Sequence, residues 1–168
     1  GAVAYTGANN IAIGYGAMDD TDADATVGGS QNNVFLGKDS GGGTWVTAAS
    51  NFNVGVGNYT LTGAMNGALN NVAIGHSTLS GITTGDDNTA LGFNAGAIVT
   101  TGNKNILIGY KAMDSADGDE SDNIAIGQDA LGNANNDSIA SNIAIGNYAG
   151  DAFGTAAISN TVLIGHQA

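Results

Sequence analysis

One short pattern recurs nine times in the 168 residues of this chain: Asn, aliphatic, small, aliphatic, Gly, two variable residues, then a small residue. The copies begin Asn10-Ile-Ala-Ile-Gly14, Asn33-Val-Phe-Leu-Gly37, Asn53-Val-Gly-Val-Gly57, Asn71-Val-Ala-Ile-Gly75 and Asn88-Thr-Ala-Leu-Gly92. They continue with Asn105-Ile-Leu-Ile-Gly109, Asn123-Ile-Ala-Ile-Gly127, Asn142-Ile-Ala-Ile-Gly146 and Thr161-Val-Leu-Ile-Gly165. Successive motif glycines lie 23, 20, 18, 17, 17, 18, 19 and 19 residues apart. A period this short holds one turn of a solenoid and nothing larger. The expected fold is therefore all-β, a parallel β-solenoid or β-roll of about nine coils of 17–23 residues, forming a single repeat domain over residues 1–168. With strands about 4.8 Å apart, such a stack is roughly 43 Å long.

Within each motif the two aliphatic residues flank a third, as Ile11 and Ile13 flank Ala12. Alternate side chains of a strand point to opposite faces, so the flanking pair share one face and the middle residue takes the other. The middle position reads Ala12, Phe35, Gly55, Ala73, Ala90, Leu107, Ala125, Ala144 and Leu163, and is never charged. A strand apolar on both faces is expected to be covered on both: once by the inside of its own coil and once by something outside it. The motif glycine, present in all nine copies, implies positive φ or close backbone approach at a corner. Asn at the head of eight copies suits a stacked amide ladder, with tight turns around it.

Composition agrees with a rod. There are 28 glycines, no proline and no cysteine, and charged residues make up only 11%. Such a chain is a poor helix former. Its 42% apolar content nevertheless separates it from disordered acidic tails. The net charge of −12 repels phosphate backbones, which argues against nucleic-acid binding. No apolar run approaches the roughly 18 residues of a membrane helix. With no cysteine, neither disulfide frameworks nor thiolate metal sites can form.

Segments such as Asn10-Ile-Ala-Ile-Gly-Tyr-Gly-Ala17 and Asn123-Ile-Ala-Ile-Gly-Gln-Asp-Ala130 resemble two related groups of repeats. One is the head of trimeric autotransporter adhesins, built on a Val-Ala-Ile-Gly-type repeat. The other is the Asn-Thr-Ala-Ile-Gly-Tyr-x-Ala-Leu repeat of phage tail fibres. The resemblance runs along essentially the whole chain, and the longer spacing here is closer to the tail-fibre version. It implies a left-handed winding and a homotrimer in which the middle Ala position faces the three-fold axis or a neighbouring chain. It also implies an extracellular place, on a virion or a bacterial cell surface, and a host-surface glycan or protein receptor as partner.

Candidate contact residues follow from the repeat. The slot after each motif glycine holds Tyr15, Lys38, Asn58, His76, Phe93, Tyr110, Gln128, Asn147 and His166, a varied column expected at the surface. Its aromatic members Tyr15, Phe93 and Tyr110 could dock sugar rings, or could simply pack on adjacent turns. Trp45, beside Gly41-Gly-Gly43, is a candidate loop tip or a residue tucked under its spacer. Acidic spacers at Asp20, Asp22 and Asp24 and at Asp117 and Asp119 are candidates for weak calcium binding, though the first has Ala25 where a calcium loop needs its turn glycine. Their alternative role is to solvate the rod and discourage sideways strand pairing. No cofactor or tight metal site is expected.

Catalytic constellations are thin. His76 and His166 occupy the same slot far apart along the rod, and Glu120 is the chain's one glutamate. The expected role is therefore structural and adhesive: shaft or receptor-contacting region of a phage tail fibre or similar appendage. The alternatives are an adhesin head or a self-assembling filament without a receptor. Gly1-Ala-Val-Ala-Tyr-Thr-Gly7 aligns with Gly96-Ala-Ile-Val-Thr-Thr-Gly102, and Ala168 takes the slot of Ala95. That match carries the expectation that the repeat continues beyond both ends, within one polypeptide or between stacked units.

Overall fold

The computed structural model describes residues 7–19, 29–45, 48–115, 118, 120–133, 139–153 and 158–168. Each motif contributes one three-residue strand: β1 (Ile11–Ile13), β2 (Val34–Leu36), β3 (Val54–Val56), β4 (Val72–Ile74), β5 (Thr89–Leu91), β6 (Ile106–Ile108), β7 (Ile124–Ile126), β8 (Ile143–Ile145) and β9 (Val162–Ile164). The nine pair in chain order as one parallel sheet. Equivalent motif positions stack throughout, for example Ala73 on Ala90 and Ala90 on Leu107. A single 3-10 turn, Asp151–Phe153, is the only helical element among the described residues. The molecule is a β-solenoid.

Two side-chain-independent features lock the rungs. The nine motif glycines have φ between +131° and +143°, a region closed to residues with a side chain. A Cβ on Gly109 would also land on the carbonyl oxygen of Gly127, one rung on. Conformation and space thus both demand glycine there. The residue before each motif Asn and the second residue after each motif glycine also have positive φ, at +49° to +64°. These are the corners that turn the chain out of and back into the strand.

The asparagines form a continuous internal ladder. The Nδ2 of Asn88 donates to Asn71 Oδ1 at 3.0 Å and to the Gly102 carbonyl at 2.8 Å. Its Oδ1 accepts from both the backbone N–H and the Nδ2 of Asn105, each at 3.0 Å. All four hydrogen-bonding positions of the amide are filled, in a side chain with no solvent exposure. Asn33, Asn53, Asn71, Asn105, Asn123 and Asn142 repeat the arrangement. Thr161 closes the ladder by donating its backbone N–H to Asn142 Oδ1 at 3.1 Å and extends no amide.

The middle residues of the strands point into the coil, which corrects the expectation that they face a three-fold axis or a neighbouring chain. Phe35, Ala73, Ala90, Leu107, Ala125 and Ala144 are fully buried, and Gly55 with them. The reason is volume. Larger side chains from the fourth residue after each motif glycine (Leu61, Leu79, Met113 and Leu131) fill the narrow lumen from another wall, so the strand can contribute little bulk. Where the strand does send in a large residue, that second column yields. Gly41 lies under the Phe35 ring, Gly96 between Leu79 and Leu107, and Gly150 between Leu131 and Leu163. Leucine and methionine tolerate the same positive φ elsewhere in this column, so glycine is placed there for space.

Trp45 is fully buried, edge-on to Phe35 with ring centroids 5.9 Å apart. Its indole N–H has no hydrogen-bond partner among the described residues.

Replacing Asn88 with Ala leaves the Asn105 backbone N–H, the Asn105 amide and the Gly102 carbonyl each short of a partner. At about 1–3 kcal/mol per buried unsatisfied group, the expected loss is at least ~3 kcal/mol. Urea titration of the variant against the wild-type chain, followed by circular dichroism, measures it.

Candidate functional site

The strand residues that flank the middle position face outward. They number 18, two from each of nine strands, and all but Thr89 are Ile, Val or Leu. Ile74 retains 39% of its surface, Leu91 45% and Ile106 39%, although they sit in the middle of the sheet. At the ends Ile13 and Ile164 retain 63% and 69%. A flat ribbon roughly 43 Å by 10 Å results, uncharged along its whole length. Its apolar residues form one continuous file, unlike the singly scattered exposed side chains ordinary on a protein surface.

One edge of the ribbon carries the column after the motif glycines, and it is exposed at Tyr15, Lys38, Asn58, His76, Phe93, Tyr110, Asn147 and His166. The rings in it are stacked on each other. His76 lies 5.4 Å from Phe93 with an 18° interplanar angle, and Phe93 lies 5.4 Å from Tyr110 at 10°. Tyr59 meets His76 edge-on at 5.3 Å. A column spacing of one rung, about 4.8 Å, brings successive rings within stacking range. Both faces of Phe93 are thereby covered by neighbours, so Phe93 cannot offer a sugar a free ring face. Of the aromatic candidates only Tyr15, 81% exposed, has a ring with no aromatic neighbour among the described residues.

Trp45 is fully buried and is not a loop tip; its spacer folds inward because the lumen at Phe35 and Gly55 needs filling. Tyr59 and Tyr148 join the ring contacts, Tyr148 against His166 at 5.9 Å, although they occupy the next slot along. The positive φ at that corner, +60° and +61°, turns them back toward the column. Their offsets of 17 and 18 residues from His76 and His166 were the available signal in the sequence.

Electrostatics at this edge are modest. Lys38 donates to the Tyr59 hydroxyl at 2.7 Å, and that bond raises its pKa, with Asp39 adding a smaller pull. Lys111 is held charged in the same direction by Asp114 at 3.2 Å. Asp114 itself is pushed up, because burial outweighs the stabilising Lys111 ammonium.

The acidic spacers have structural duties where they are described. Asp86 Oδ1 accepts the Leu69 N–H at 2.7 Å, Asn103 Oδ1 accepts the Asp86 N–H at 2.7 Å, and Ser121 Oγ accepts the Asn103 N–H at 2.9 Å. A depression of about 380 Å³ lies over Asp86, Asp87, Asn103, Lys104, Ser121 and Asp122. Among the described residues, no group of three or more His, Asp or Glu side chains is placed to hold a metal ion. The calcium candidates Asp20, Asp22, Asp24, Asp117 and Asp119 lie outside the described residues. No helix among the described residues is long and apolar enough to cross a membrane.

Compared with protein-family models, curated proteins and solved structures, the chain matches none.

Two outcomes are expected. Phe93→Ala removes two stacked pairs at about 0.5–1.5 kcal/mol each, lowering stability by ~1–3 kcal/mol in a thermal melt while the β signature persists. Asp114 binds its proton more tightly folded than unfolded. Its contribution is therefore fully present below the ordinary value of 3.8 and is lost as pH rises through the raised value. The stability of the wild-type chain relative to Asp114→Asn should accordingly increase as pH is lowered toward 3.8, as paired melts would show.

Proposed function

We propose that this chain is a segment of a homotrimeric, left-handed extracellular fibre whose role is structural and adhesive, as the shaft or receptor-contacting region of a phage tail fibre or similar appendage. The observation that carries this reading is the outward aliphatic ribbon. Seventeen of its 18 side chains are apolar, and the single chain fully covers none of them, leaving half of the 18 exposed and half partly buried. Three such flat faces turned to a common axis shield one another from water. A chain of net charge −12 can assemble this way because none of the 18 ribbon side chains is ionisable. The resemblance of the repeat to tail-fibre and adhesin-head repeats supports the same arrangement, with the contact moved from the middle Ala to the residues on either side of it.

The role of such an assembly is mechanical. Backbone ladders, the Asn amides and the ring stack all run along the same direction, so the rod resists bending through many parallel contacts. Contact with a host-surface glycan or protein falls to the variable columns outside the ribbon, where Tyr15 presents the freest ring. Nothing in this reading calls for catalysis or a cofactor.

Sedimentation equilibrium tests it. The expected mass is three times 16.5 kDa. Ile106→Glu combined with Ile145→Glu should yield a folded monomer, since each lumen is closed without its neighbours. A wild-type chain that stays monomeric at micromolar concentration sinks the reading.

A further inference from the structure

The ribbon contains one polar residue, Thr89, in β5, the central strand of nine. Resting on the homotrimer reading above, we infer that Thr89 sets the register in which copies of the chain pack, and so determines that the assembly is a closed trimer with its rungs level.

The need for such a residue comes from the ribbon's regularity. β6, β7 and β8 all present Ile-Ile outward, and every other ribbon position apart from Thr89 is Ile, Val or Leu. Sliding one copy by a rung therefore exchanges one aliphatic side chain for another and leaves the face apolar. Uniform faces specify register weakly. Staggered copies leave apolar rungs overhanging at each end, and those overhangs recruit further copies into open polymers instead of a closed ring.

Thr89 breaks the degeneracy. It is exposed in the single chain, and its hydroxyl makes no hydrogen bond to the described residues. When rungs are level, three Thr89 hydroxyls meet and can donate to one another in a ring, each having one donor and two acceptor positions. When copies slip by one rung, each hydroxyl faces Val72 or Ile106 and is desolvated without a partner. The penalty falls on the wrong registers alone. A single buried polar position does the same in coiled coils, where it specifies alignment at some cost in stability.

The test compares Thr89→Val, which keeps the shape and removes the hydroxyl, with Thr89→Ser, which keeps the hydroxyl. Sedimentation velocity and dilution series are run on both beside the wild-type chain. The expected result is a single trimeric boundary for wild type and Thr89→Ser. Thr89→Val should show a broadened distribution reaching beyond trimer, with dissociation on dilution shifted to about ten-fold lower concentration. Thr89→Val sedimenting as the same sharp trimer, or Thr89→Ser broadening equally, overturns the assignment of register to Thr89 while leaving the trimer standing. A monomeric wild-type chain overturns both.

Discussion

Every rung of this solenoid hangs on the asparagine amide inside its corner. A coil of 17–20 residues with a three-residue strand has too little ladder to hold its own shape, and the turn that follows leaves backbone carbonyls facing the lumen. The amide solves both problems at once. Its Nδ2 reaches the carbonyl three residues ahead of the next motif Asn, as from Asn53 to Ala68 and from Asn71 to Gly85. Its Oδ1 takes the N–H of that next Asn, as from Asn71 to Asn53 and from Asn88 to Asn71. Because these bonds are buried, each also polarises its neighbours, and one defective amide leaves buried groups unpaired on the rungs beside it. Backbone geometry at the motif glycine depends on the same spacing, since the glycine carbonyl of one rung occupies the place of a Cβ on the rung before.

Inside that frame the core is filled by exchange of volume between two columns. Most strand middles are small beside a large residue in the column four past the glycine, and Gly41, Gly96 and Gly150 of that column lie against Phe35, Leu107 and Leu163. The lumen therefore keeps a nearly constant cross-section while individual residues vary. Trp45 is the largest buried side chain of this fit, packed edge-on against Phe35.

What remains outside is what a partner would meet. The aliphatic ribbon is only partly used in the single chain: its side chains point away from the lumen, and each is exposed or half-buried, none fully covered. The ring column beside it is already self-satisfied over Tyr59, His76, Phe93 and Tyr110. Its principal effect is to stiffen the edge of the ribbon. On the adhesive reading proposed above, receptor contact would fall to unstacked positions and to ring edges and polar groups, instead of to a row of open platforms.

Much of the architecture was legible in the residues alone. Nine copies of Asn-x-x-x-Gly at a 17–23-residue period require parallel rungs in chain order, because only stacking of identical corners lets every motif glycine and Asn play one role. The direction of the strand faces was not legible. Alternation separates Ile11 and Ile13 from Ala12 but carries no sign, and both faces are apolar, so hydropathy could not tell lumen from exterior. That choice depends on how much room the other walls leave, which is a property of Leu61, Leu79, Met113 and Trp45 as packed bodies. The fate of the aromatic column was hidden for the same reason. Sequence spacing placed His76, Phe93 and Tyr110 in one file, while the 5.4 Å between their rings, which decides whether a face is open or covered, exists only once the rungs are stacked.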